Sequence, residues 1–378
     1  MVRTLVVALA LVLPRTTLAQ ETSPVPERLT SPDATLSQAF SSVRGVRELV
    51  SGKVLVADWI EERVALVDVA AGTVVDLVTQ GPGPDEVRLP AALVPMAGDS
   101  TLVVDLGNAR LSVLGPGGRI ARTIRAERPG LAGVRGVGPD GALYFAIPGW
   151  AAGAAALPDD SVRLVSMGAA TAETHPVAVF QGSRSRSDIR SPAMVPRIPV
   201  VGYASQDAWT LSSAGDVVIV RGGDYHLDIL ARDGTRRSGP SYAAVARPVT
   251  DADKRAFVRD FLTTSPMSGR GPDGGMGHSP LPDEAEITRM VPGTEFAERH
   301  PHFTGGPIAA PNGRSWVARS GATDAPPTYD VFDGAGRRER VVQLPPGRRV
   351  MAVGTRGVYA VVEDDVGLQS LERYPLPG

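Results

Sequence analysis

The chain has no cysteine among its 378 residues, only two asparagines, and an aromatic content of 5%. Without cysteine there is no disulfide framework, no thiolate metal ligand and no sulfur nucleophile, so stability rests on burial. The low aromatic content weakens any reading that stacks bases or sugars on rings. Lysine is nearly absent too, since Lys53 and Lys254 stand among many arginines, a bias that composition of the coding sequence explains most simply. A formal net charge of −2 gives no global field to draw nucleic acid or an anionic membrane. No internal run is long and apolar enough to span a bilayer. Neither a G-x-S-x-G nucleophile elbow nor an H-E-x-x-H zinc motif occurs.

What is present begins with an export pattern. Arg3, the apolar run Leu5 to Leu13, Pro14 and the small-residue site Thr17-Leu18-Ala19 read as a signal peptide over residues 1–19, cut after Ala19. No cysteine follows to carry a lipid, so the expected location is periplasmic or secreted. Residues 20–34 read as a linker.

Glycine (42) and proline (33) are abundant, which implies many turns. Leu49 onward (ELVSGKVLVADWIEERVALVDV) and Val94 onward (VPMAGDSTLVVDLGNARLSVLGP) share one order. Each has an apolar strand, a Gly turn, a β-branched strand, a polar turn and a third alternating strand, and each continues into a fourth strand (TVVDLVT; IARTIRA). Period-two alternation between Gly turns is a strand meander. Six copies recur, and units of this size are propeller blades. The last copy shows three strands, and Thr35 to Phe40 is placed to supply the missing outer one, closing the ring with the N-terminus. The expected fold is therefore all-β: a six-bladed β-propeller over residues 35–378, with four-stranded antiparallel blades. One short helix is expected in an insertion, 241–302, between blades four and five.

The order of pieces in GPGPDEVRLPAALVPMAGDSTLVVDLGNARLSVLGPGGRIART, and in PTYDVFDGAGRRERVVQLP, resembles the NHL-repeat-like six-bladed β-propeller family. The resemblance implies the fold and says little about activity, because such propellers host binding proteins and several enzyme classes. Propeller lactonases of similar architecture hold calcium in the channel through Glu, Asn and Asp. Here Asn108 falls in a turn between the second and third strands of a blade and Asn312 in a turn between the first and second, on opposite faces. No metal site or cofactor is expected. QGPGPDEVRLP (80–90) is punctuation between blades: Pro82 and Pro84 lack an N–H, and Asp85 and Glu86 repel phosphate.

In a four-stranded meander, the turn between strands two and three and the connection to the next blade emerge on one face. Two long connections share that face. Residues 181–206 carry Arg184, Arg186, Arg190 and Arg197, and 241–302 carry a helix in TDADKRAFVRDFLTT and the pair His300 and His302. Thr250 or Asp251 is the expected N-cap, with Phe257/Phe261 and Val258/Leu262 as the packing face. The insertion is a candidate lid over the central depression. Asp58, Asp105, Arg221, Arg319 and Glu363 end the second strands on the same face. The two Asp, each followed by an arginine five residues on, are expected to make local turn bonds or salt bridges. Trp59 and Trp150 could reach the lidded face.

These observations favour an exported, monomeric binding protein, not an enzyme, that holds a small anionic ligand or a protein partner on that face. The candidate ligand-binding residues are Arg184, Arg186, Arg190, Arg221, His300, His302 and Arg319. The rival functions are a hydrolase or lactonase using a channel metal, and an interaction scaffold.

Overall fold

The structure is a computed structural model and describes residues 24–128, 130–149, 158, 160–168, 173–182, 201–243, 247–264, 283–322 and 325–378. Two short strands, β1 (Glu27–Arg28) and β2 (Ala34–Thr35), precede the first blade. Blade one is β3 (Val43–Glu48), β4 (Val54–Asp58), β5 (Arg63–Asp68) and β6 (Thr73–Gln80), with β7 (Glu86–Val87) added in parallel to β6. Blade two is β8 (Pro90–Pro95), β9 (Thr101–Asp105), β10 (Arg110–Leu114) and β11 (Ile120–Arg125). Blade three is β12 (Gly136–Val137), β13 (Leu143–Pro148), β14 (Ser161–Met167) and β15 (Thr174–Gln181). Blade four is β16 (Ala208–Leu211), β17 (Val217–Val220), β18 (Leu227–Leu230) and β19 (Arg236–Ser238). Helices α1 (Asp251–Thr264) and α2 (Glu284–Met290) follow. Blade five is β20 (Phe303–Ala309), β21 (Ser315–Arg319), β22 (Thr328–Phe332) and β23 (Arg338–Gln343), and blade six is β24 (Arg348–Val353), β25 (Val358–Glu363) and β26 (Gln369–Tyr374).

The alternation of side chains explains why the blades assemble. On β4, Val54 and Val56 pack toward blade six while Leu55 packs toward blade two. On β17, Val218 and Val220 face blade five, whereas Val217 and Ile219 face blade three. A second strand is thus buried on both faces, which is why VLVAD, TLVVD and VVIV are nearly unbroken apolar runs. Six apolar clusters result, one for each blade-to-blade interface, and the ring closes between blades six and one. Each fully buried aliphatic side chain contributes about 1.5–3 kcal/mol.

Closure uses the N-terminal segment, as its position in the sequence suggests. Residues of β2 pair antiparallel with β26, and Phe40 bridges Gln369. The stretch read as a linker also carries β1, which pairs in parallel with β23 of blade five. The seam between blades six and one is fastened by Glu48, which accepts from the Thr355 N–H at 2.9 Å, the Arg356 N–H at 3.1 Å and the Tyr359 hydroxyl at 2.7 Å.

The insertion holds two helices where one was expected. Helix α2 starts at Asp283, whose side chain accepts from the Glu286 N–H; seven residues after a Gly/Pro-rich stretch gave too little periodicity to read. Helix α1 has the expected N-cap in Thr250, which exchanges hydrogen bonds with Asp253: Thr250 N–H to the Asp253 carboxylate at 2.8 Å and Asp253 N–H to Thr250 Oγ1 at 3.3 Å. Val258 and Leu262 pack with Ile287 and Met290 of α2, and Phe257 and Phe261 lie against them. Among the described residues, no helix is long and apolar enough to cross a membrane.

Candidate functional site

The first strand of each blade is innermost, and these six strands contact one another in sequence around a central channel. Each inner strand begins on the face that carries the insertion. At three of these strand heads stands an arginine: Arg44 on β3, Arg135 immediately before β12, and Arg349 on β24.

Arg44 is the extra residue of a bulge, since Val43 pairs with Asp58 and Gly45 already pairs with Ala57. A bulge re-aims the side chain it carries. The Arg44 guanidinium lies 5.7 Å from the centroid of the Trp59 ring, a cation–π contact. Its Nε is buried without a hydrogen-bond partner. Burial lowers its pKa, the neighbouring Arg349 lowers it further, and Asp260 on α1 works in the opposite direction. Arg349 is lowered in the same way, by burial first, with Tyr329, Asp260 and Glu363 opposing. Burial in turn raises the Asp260 pKa, against the pull of Arg44 and Arg349.

Arg135 stands apart from that pair. Burial lowers its pKa, with no charged group among the described residues contributing. A Cβ built on Gly306 would come 3.1 Å from Arg135 Nη1. Gly306 belongs to blade five and Arg135 to blade three, and a Cβ there would also lie 3.8 Å from Trp209 O of blade four, so the guanidinium reaches past the inner strand of blade four. Arg135 and Arg349 are both solvent-exposed, although the protein around them lowers both pKa values. Among the described residues, no carboxylate lies within ion-pair distance of Arg44, Arg135 or Arg349.

The insertion covers this mouth. Arg247, just before α1, donates to Asp253 at 2.9 and 2.7 Å and to the Gly321 carbonyl of blade five at 3.0 Å. Tyr203 donates to the Asp253 carbonyl at 2.8 Å. The helix is thus rooted beside blades four and five while its Asp260 acts on Arg44 and Arg349 of blades one and six. Fourteen residues reach about 21 Å at the usual helical rise.

The candidates from the sequence fall in several environments. Arg184, Arg186 and Arg190, with Arg197 and Trp150, lie outside the described residues. Arg221 donates to Asp228 at 2.6 Å and to Asp207 at 2.7 Å. Arg319 makes a two-point bond to Asp330 at 3.0 and 2.7 Å. Asp330 is fully buried, and it also accepts from the Tyr225 hydroxyl at 2.7 Å and sits 3.5 Å from Arg338. The forks of both arginines are therefore occupied. His300 is buried, its Nε2 3.2 Å from an Asp253 oxygen but off the hydrogen-bonding line, and its ring 4.3 Å from that of Tyr203. His302 stacks on Tyr225 at 5.9 Å, with Nδ1 buried and unpartnered. The two imidazoles thus have different surroundings. Among the described residues, no group of three or more His, Asp or Glu is placed to hold a metal ion.

The strand-end acids are engaged locally. Asp105 accepts from Arg110 at 2.7 Å and from Asn108 and the Arg88 N–H. Asp58 accepts four backbone N–H groups, from Ser41, Ser42, Ile60 and Glu61, while Arg63 pairs with Asp76 instead. In QGPGPDEVRLP the Gly83 N–H is already taken by the Glu86 carboxylate at 2.6 Å.

The three channel arginines were missed in the sequence, although a signal exists. Val-Arg-Gly-Val occurs at residues 43–46 and again at 134–137. In both copies the glycine lets the next inner strand close in: a Cβ on Gly45 would lie 2.9 Å from Leu93 N, and one on Gly136 2.7 Å from Leu211 Cβ.

No family model matches the chain, and no curated protein matches it either. Solved structures do. An exported protein from Bacteroides fragilis aligns over 92% of this chain and 99% of its own, with TM-score 0.50 and 10% identity. A DUF4221 family member from Bacteroides vulgatus aligns over 91% and 97%, with TM-score 0.47 and 11% identity. A gluconolactonase from Xanthomonas campestris aligns over 93% and 97%, with TM-score 0.44 and 12% identity. At these identities the likeness is one of fold, the six-bladed propeller.

Proposed function

We propose that the chain is an exported, NHL-like propeller that captures a small anionic ligand in its central channel, beneath α1. The observation that carries this reading is Arg135: a guanidinium whose Nη1 lies beside Gly306 of blade five, with no acidic partner among the described residues. An arginine fork suits a carboxylate. Arg44 and Arg349 supply further positive charge at the same mouth. Arg184, Arg186 and Arg190 lie outside the described residues; the sequence pattern alone, which puts their connection on this face, adds them to the same reading.

Calorimetric titration of the purified protein with small carboxylates tests it. Saturable binding that weakens clearly in Arg135→Ala, with the unfolding midpoint preserved, is the expected result. Equal binding by the variant would remove Arg135 from the site. The rival, a metal-dependent hydrolase or lactonase, is separated by elemental analysis combined with lactone turnover before and after chelation. Stoichiometric metal with chelator-sensitive turnover would replace the binding-protein reading.

A further inference from the structure

The positive charge of the channel is divided between two places. Arg44 and Arg349 belong to adjacent blades, Arg349 lowers the Arg44 pKa, and both feel Asp260. Arg135 comes from blade three, which lies across the ring from blade six, and no charged group among the described residues perturbs it. The Trp59 ring lies beneath Arg44, and the missing side chain of Gly306 leaves room for the Arg135 head.

Resting on the anion-binding reading above, we infer that the ligand is a small organic dianion with its acidic groups at opposite ends, one held by Arg135 and the other by Arg44 with Arg349. The charge count supports this. Asp260 supplies one negative charge against the two guanidiniums of the pair. Glu363 acts only on Arg349, behind Tyr329 and Asp260, and its carboxylate also accepts from Gln369 at 3.0 Å. At Arg135 nothing among the described residues offsets the charge. A monoanion would satisfy one place and leave the other cation unpaired. A single phosphate would put both its charges in one place. A molecule with two separated carboxylates satisfies both, and an arginine fork accepts each carboxylate at two points.

The experiment is calorimetric titration of the mature chain with glutarate and adipate, against butyrate and hexanoate as chain-matched monoacids and inorganic phosphate as the compact dianion. At least one dicarboxylate should bind about tenfold or more tightly than its monoacid, the gain expected from one added charge-assisted hydrogen-bonded pair. Arg135→Ala and Arg349→Ala should each bring the dicarboxylate down to the monoacid level while circular dichroism and the unfolding midpoint stay put. Gly306→Ala, which leaves all three arginines in place but crowds Nη1, should weaken the dicarboxylate more than the monoacid. Equal affinity for monoacid and dicarboxylate overturns the inference and leaves the anion site standing. Phosphate binding more tightly than every dicarboxylate overturns it as well. No binding by any of these anions removes both the inference and the reading beneath it.

Discussion

Two sets of arginines share one face of this propeller and have opposite circumstances. Arg221 and Arg319, at or just past the ends of second strands, and Arg110, at the head of a third, are locked to Asp207 and Asp228, to Asp330, and to Asp105. Arg44, Arg135 and Arg349, at the heads of inner strands, have no such partner among the described residues. The first set fastens turns and blades. The second places positive charge in a channel where nothing in the described fold needs it. Counting arginines on a face therefore says little, and their partners decide which are spent on structure.

The largest expected effect lies in the paired set. Asp330 is fully buried and receives Arg319, Tyr225 and the approach of Arg338. Asp330→Ala leaves two guanidiniums facing an emptied, dry site and should cost about 3–5 kcal/mol. Urea unfolding measures this directly. A loss below about 1 kcal/mol would mean that water reaches the network and that the contrast with the channel arginines is overstated.

A smaller and more local effect is expected at the root of the lid. The hydrogen bond from Arg247 holds the Asp253 pKa far below the usual carboxylate range, with Thr250 adding to it against the cost of burial. Because the folded value is the depressed one, its contribution is complete above the ordinary Asp pKa of about 4 and declines as pH falls through the folded value. Amide exchange in α1 should therefore stay protected from neutral pH to about 4, then weaken in more acidic buffer. Asp253→Ala should show the weakened pattern already at neutral pH, with the midpoint of the propeller little changed. Loss of protection between pH 7 and 5 in the unaltered chain would show that another group controls the helix root.

The same contrast explains how much could be read without coordinates. Blade boundaries were legible because second strands such as VLVAD and TLVVD are buried on both faces and are bracketed by glycine turns. The N-terminal closing strand followed from a copy that lacked one. Helix α1 was legible through its capping residues and its two apolar i,i+4 pairs; α2 was too short. Site residues resisted for a different reason. Arg221 and Arg319 seemed to lack partners because Asp207 and Asp330 lie fourteen and eleven positions away on neighbouring strands, a separation that only pairing register reveals. Arg135 looked like any loop arginine, because what distinguishes it is a contact with Gly306 of blade five.

The smallest effect has the opposite sign and tests the comparison most sharply. A residue kept for ligand and not for the fold should cost the empty protein something. Arg135 has no counter-charge among the described residues, and an apolar side chain of similar length would fill the same space without an unpaired charge. Arg135→Met should leave stability unchanged or raise it by up to about 1 kcal/mol, measured by urea unfolding without ligand. The matched change Arg319→Met should lower it, because Asp330 loses its two-point partner. Both variants remove one positive charge from the same face, so a general electrostatic effect would move them together. Divergence in sign would assign the paired arginine to the architecture and the other to the ligand. A clear loss in both would mean that Arg135 supports the ring itself, and the anion would have to be held elsewhere.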